Sequence, residues 1–256
     1  YTSELGVVTS IESEWNENQK WRQLSFYRKE LTHTSLGHKA THMRHRLEEF
    51  GDGFERFGAL NGTDLGDVIE FGAGGYTQIR NILEMSSADM KSVTLVDPQI
   101  YDYKAIPASS FFSDKLEVPS RKPYDTTLSN LTVEEFGKQL NGRQYDTVIM
   151  MNVLVYARNA LEFLTTLHSS LKVGGTLIFH DRWFQDSAAS SHCRTAGFAM
   201  HIIQVRKAVL DHLLSHVTVT PFLSDKQTKG QIDRSKNWCK WKDDEMGYWA
   251  MVKKVK

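Results

Sequence analysis

Cysteine is scarce in this 256-residue chain, with only two, Cys193 and Cys239. Two cysteines make no disulfide framework, and nothing around either has the spacing of a zinc ligand series. They can pair or both stay free. Net charge is absent too: 31 basic residues balance 31 acidic ones, for a formal charge of +0 at pH 7. A balanced chain lacks the basic field that neutralises many phosphates, so composition gives no case for a nucleic-acid partner. No apolar run approaches membrane-spanning length. The sequence opens on Tyr1, with neither an initiator Met nor a signal-peptide pattern. The compartment is therefore open between cytoplasm and, if a targeting segment has been removed, the secretory-pathway lumen. Two sequons, Asn61-Gly62-Thr63 and Asn130-Leu131-Thr132, shift that balance little, since such triplets arise by chance.

What is present is enough apolar material, 40% of residues, to bury a core. Residues 1–60 read as an N-terminal helical cap or packing segment. Leu24, Tyr27 and Leu31 share one helical face, and Met43, Leu47, Phe50, Phe54 and Phe57 form a second stripe. The His-rich stretch with His42, Arg44 and His45 lies there and can cover a cleft.

From residue 61 to 256 the pattern predicts one α/β domain. Val68, Ile69 and Phe71 mark a strand that runs into Gly72-Ala73-Gly74-Gly75, and Ile79, Ile82 and Leu83 mark a helix after it. Val93 to Val96 form a second strand, ending at Asp97. The stretch from Tyr101 to Tyr124, punctuated by prolines, reads as irregular. A third strand is expected near Thr126 to Leu128, a helix from Val133 to Leu140, and a fourth strand over Thr147 to Met151. The helix from Ala160 to Leu171 is expected to bury Leu161, Leu164, Leu167 and Leu171. Gly174-Gly175 closes it, and Thr176 to Phe179 form the fifth strand. A helix with Ile202, Val205, Val209 and Leu213 on one face follows, then strands at Val217 to Val219 and Trp249 to Val252. Ser224 to Glu245 reads as a surface loop. Alternating strands and helices argue for a doubly wound, mostly parallel sheet.

A strand ending in glycines aims backbone N–H groups at a helix start and lets a ligand approach the chain closely. A carboxylate at the end of the next strand can accept both hydroxyls of a ribose. Glu70, the glycines and Asp97 thus form one candidate constellation. Its order in the chain resembles class I S-adenosylmethionine-dependent methyltransferases. Val68 to Gly74 resembles their first motif, Val93 to Asp97 their second, Tyr145 to Leu154 their fourth-strand motif, and Leu171 to Ile178 the approach to the fifth strand. The resemblance implies a seven-stranded sheet with a reversed last strand and S-adenosylmethionine as cofactor. It implies that Glu70 orients the turn, that Gly72, Ala73 and Gly74 let the cofactor pass, and that Asp97 holds the ribose. Asn130 or Leu131 would lie beside adenine and Asn152 beside the methionine part. The chain departs from the family by placing Tyr76 where a third glycine is common. A nicotinamide-dependent dehydrogenase would want the complete Gly-x-Gly-x-x-Gly, whose final glycine is missing here. A methyltransferase-like binding protein without catalysis is the other alternative.

For chemistry, His180 and Asp181 follow the fifth strand, on the ligand-binding edge. A positioned His can take a proton from an acceptor hydroxyl, and Asp can orient it or bind a metal. His201 is the second candidate base. Asp181, His201 and Asn152 can together form an oxygen-and-nitrogen site for Mg²⁺ or Mn²⁺. Asn152, however, stands where metal-dependent relatives carry a carboxylate. Trp183, Trp238 and Trp241 are platforms for a ring or sugar. The expected acceptor is a hydroxyl on a small molecule or glycan, with small-molecule N-methylation and protein methylation as alternatives.

Overall fold

The computed structural model describes residues 57–184 except 107, 108, 110 and 112, together with Leu24, Ser25, Leu210, 218–223 and 245–255. Its centre is a sheet of eight strands in the order β3-β4-β2-β1-β5-β6-β8-β7. These are β1 (Asp67–Phe71), β2 (Ser92–Val96), β3 (Lys115–Leu116), β4 (Tyr124–Ser129), β5 (Tyr145–Met151), β6 (Leu171–Phe184), β7 (Thr218–Leu223) and β8 (Glu245–Lys254). Strands β4, β2, β1, β5 and β6 are mutually parallel. Strand β8 runs antiparallel between β6 and β7. The expected seven strands with a reversed last one are thus present, and a two-residue strand, β3, adds an antiparallel edge beside β4.

The apolar strands are covered on both faces, as parallel strands must be. One face packs Ile69, Phe71, Val148, Met150 and Phe179 under helices α3 (Val133–Gln139) and α4 (Ala160–Ser170). The other packs Val68, Leu95, Ile149, Met151 and Ile178 under α1 (Gln78–Met85) and α2 (Ile100–Lys104). Leu24 is helical and packs against this second face, so the N-terminal segment touches the domain there. From β1 the chain builds outward through β2 to β4, then returns to β5 on the opposite side. That reversal opens a crevice at the carboxyl ends of β1 and β5, where ligands bind in open α/β sheets.

Three expectations are corrected. Strand β6 does not stop at Phe179 but continues to Phe184, because β8 pairs with it from Thr176 to Phe184. Leu161 is 72% exposed; the buried face of α4 is Ala160, Phe163, Leu164 and Leu167, and Leu161 lies about 100° round from it. The stretch after Tyr101 is not wholly irregular, since it holds the end of α2 and strand β3. Helix α2 is barely one turn long, too short for periodicity to reveal, although Ile100 and Tyr103 are buried. The helix around residue 205, the loop after Ser224, both cysteines, His42, Arg44, His45, His201, Trp238 and Trp241 lie outside the described residues, although Leu210 is helical and buried.

Candidate active site at the carboxyl edge of the sheet

Alternation along β1 sends Ile69 and Phe71 to one face and Val68 and Glu70 to the other. Glu70 therefore points to the side of α1. Its carboxylate accepts from the N–H groups of Gln78 at 2.7 Å and Ile79 at 3.0 Å. These are unsatisfied donors of the first turn of α1, whose N-cap residue Thr77 makes no side-chain cap. Glu70 does this from complete burial. Desolvation raises its pKa to about 7, against the lowering by the two amides and with a further push from the charge of Asp97.

Asp97 closes the other side of the turn. One oxygen accepts from Gly74 N–H at 3.0 Å and the other from Gln99 N–H at 2.9 Å. Burial raises its pKa to about 6, while both amides pull it down. The glycine turn is thus held between two buried carboxylates. Within it, Gly72 and Gly74 have φ of +68° and +57°, which glycine alone adopts at little cost. Gly72 N–H also donates to Val96 O, which ties the turn to the end of β2. Asp97 N–H donates to Ser129 O, so Asn130 and Leu131 follow directly beside the Asp97 end, Asn130 exposed and Leu131 half-buried. Ala73 is buried in the turn.

Across the crevice, β5 ends in a second clamped turn. Asn152, at φ +59°, donates its N–H to His180 O at 2.8 Å. Val153 and Leu154 both donate to the same oxygen of Asp181, Oδ2, at 2.9 and 2.6 Å. Asp181 is fully buried there and caps the short 3₁₀ turn Leu154–Tyr156. Because β6 continues through this point, His180 and Asp181 leave opposite faces of the strand. Ile178 and His180 share the α1 side; Phe179 and Asp181 share the α4 side. Asp181 therefore holds the 152–154 turn through Oδ2. Among the described residues no group of three His, Cys, Asp or Glu side chains gathers as a metal site. The proposed third ligand, His201, lies outside them.

Sequence reasoning missed Val153. A Cβ on Gly72 would fall 2.2 Å from Val153 Cγ2, so Gly72 is small because the β5 turn packs on it. No local signal reveals a contact between residues 81 positions apart. Gln99 was also missed, although Asp97-Pro98-Gln99 carries the signal of an Asx turn, in which Asp accepts from the N–H two residues on.

The family described as "Methyltransferase domain" matches residues 38–240. No curated protein matches the chain in sequence at a significant level. Among solved structures, N-methyltransferase NodS of Bradyrhizobium japonicum, in complex with S-adenosyl-L-homocysteine, is similar with a TM-score of 0.51 at 14% identity, covering 91% of this chain and 99% of that one. The StiE O-MT segment gives a TM-score of 0.54 at 11% identity, over 90% of this chain and 81% of that one. An O-methyltransferase family protein of Burkholderia thailandensis gives 0.50 at 12% identity, over 93% and 68%. At such identities the likeness is one of fold. Together with the matched span and the strand order, it establishes that the chain belongs to the methyltransferase domain family and has the class I, Rossmann-like fold of S-adenosylmethionine-dependent methyltransferases.

Proposed function

We propose that this chain transfers the methyl group of S-adenosylmethionine to a hydroxyl of a small molecule or sugar. The observation that carries the reading is the glycine turn clamped between Glu70 and Asp97 beside the crevice. The residues fit the cofactor. Each Asp97 oxygen has one backbone donor and keeps capacity for a ribose hydroxyl. The backbone at Gly72, Ala73 and Gly74 would pass close to the cofactor, Asn130 and Leu131 would flank adenine, and Asn152 would face the methionine part. When bound, the cofactor supplies an electrophilic methyl on a sulfonium.

The chain's own work is to align the acceptor, exclude water and accept a proton. His180 lies level with Met151, the last residue of β5, and is buried at the crevice. Its imidazole is the group we assign to take the acceptor hydroxyl's proton. Structural relatives include both an N-methyltransferase and O-methyltransferases, so the choice of oxygen rests on the need for such a base and on the neutral charge balance, which does not favour nucleic acid.

The test is a screen of hydroxyl-bearing small molecules and sugars with radiolabelled methyl donor, with and without chelator. Label in a hydroxyl-bearing product is expected. Wild-type protein that binds S-adenosylmethionine but labels only amines or proteins would replace the acceptor assignment. Protein that binds NAD and not S-adenosylmethionine would end the whole reading.

A further inference from the structure

We propose that Asp181 is a positioning residue for the cofactor turn, acting through Val153, and not a metal ligand. The proposal rests on the methyltransferase reading above and deepens it. Asp181 Oδ2 fixes the amides of Val153 and Leu154, and the neighbouring His180 carbonyl fixes the amide of Asn152. Three consecutive backbone donors at the end of β5 are therefore held by two consecutive residues of β6. Held in this way, the Val153 side chain fills the space over Gly72 where a Cβ would lie. Gly72 in turn is bonded to the end of β2, and Gly74 to Asp97. Continuous contact thus runs from the buried Asp181 carboxylate, across the switch point of the sheet, to the residue assigned to the ribose.

The same device recurs along this edge. Glu70 holds Gln78 and Ile79, Asp97 holds Gly74 and Gln99, and Glu134 holds Arg158 and Asn159, each by paired backbone amides. Like Glu134, Asp181 takes both amides on one oxygen. A carbonyl oxygen in that position can accept both, so Asp181→Asn keeps the acceptor for both amides while removing the negative charge that strengthens metal binding. Asp181→Ala removes the clamp and leaves one buried and one part-buried donor unpaired.

The experiment compares wild type, Asp181→Asn, Asp181→Ala and Val153→Ala. Amide hydrogen exchange without cofactor reads the clamp at Val153, Leu154 and Gly72. Calorimetry with S-adenosyl-L-homocysteine reads the cofactor site, and kinetics separate cofactor KM from kcat. Asp181→Asn is expected to keep all three amides slow and affinity within about threefold. Asp181→Ala should speed exchange at all three, weaken affinity about tenfold, and raise KM more than it lowers kcat. Equal damage in Asn and Ala variants would show that charge matters, and would overturn the proposal. So would a folded Asp181→Ala protein with unchanged affinity. If that variant does not fold, Val153→Ala decides, because it leaves both amide bonds but breaks the link to Gly72; unchanged affinity there overturns the link. Wild type that fails to bind the homocysteine analogue would defeat the methyltransferase reading, while exchange at Gly72 would still judge the Asp181 link.

Discussion

Adding one methyl group at Gly72 tests how the two turns of the crevice meet. In Gly72→Ala the new Cβ would lie 2.2 Å from Val153 Cγ2, 2.6 Å from Cγ1 and 3.0 Å from Cβ, at a residue whose φ is +68°. Left-handed backbone costs an L-residue about 1–2 kcal/mol. Forcing a packed neighbour aside costs about 1–3 kcal/mol. The lost freedom of the unfolded chain returns roughly 0.4–1 kcal/mol. Gly72→Ala should therefore destabilise the protein by about 2–4 kcal/mol. Val153→Ala removes both clashing methyl groups but leaves the Cβ contact and the backbone strain. The double variant should accordingly recover about 1–2 kcal/mol relative to the sum of the single changes. Urea titration of the four proteins, with slopes checked for two-state behaviour, measures that coupling. Changes that add within about 0.5 kcal/mol would refute the packing of Val153 on Gly72, and a stable Gly72→Ala alone would refute the backbone argument as well.

Asp97→Ala should cost about 2–5 kcal/mol of cofactor binding, and unchanged affinity by calorimetry in a folded variant would sink the ribose assignment. Cofactor affinity of wild type should fall as pH drops below about 6, because protonated Asp97 loses acceptor capacity; a flat profile from pH 7 to 5 would contradict this. Glu70 has a raised folded pKa, so its stabilising contribution is complete below the ordinary carboxylate range and is lost as pH rises through about 7. The stability of wild type relative to Glu70→Gln should thus decline by about 3 kcal/mol between pH 4 and 8, and a constant difference in urea titrations would refute it. His180→Ala should lower kcat by about 10²–10⁴ while leaving cofactor affinity nearly intact; near-normal turnover at saturating acceptor would reject the base role.

The sequence by itself determined the elements whose cause is local. An apolar run that ends in glycines makes β1 and its turn, an apolar run that ends in Asp97 makes β2, and the nearly continuous apolar run from Thr147 to Met151 has the character of a parallel strand covered on both faces. Glu70 and Asp97 were legible as a pair for the same reason, since one strand-helix-strand passage separates them. Tertiary structure decided what each side chain does there. The length of β6 depends on hydrogen bonds from β8, a strand that begins more than sixty residues later. That extension keeps His180 and Asp181 in the strand's alternation, so neighbours in sequence face opposite sides of the sheet. Gly72 reads locally as room for a ligand; that the Val153 side chain packs where its Cβ would lie is visible only in the fold. Asp181 reads locally only as an acid at the end of a strand; that one of its oxygens is engaged by two amides from the turn after β5 is visible only in the fold. Strand formation follows from the period of a short segment; the partner of a buried carboxylate depends on which distant backbone donors the packed sheet brings within about 3 Å of it.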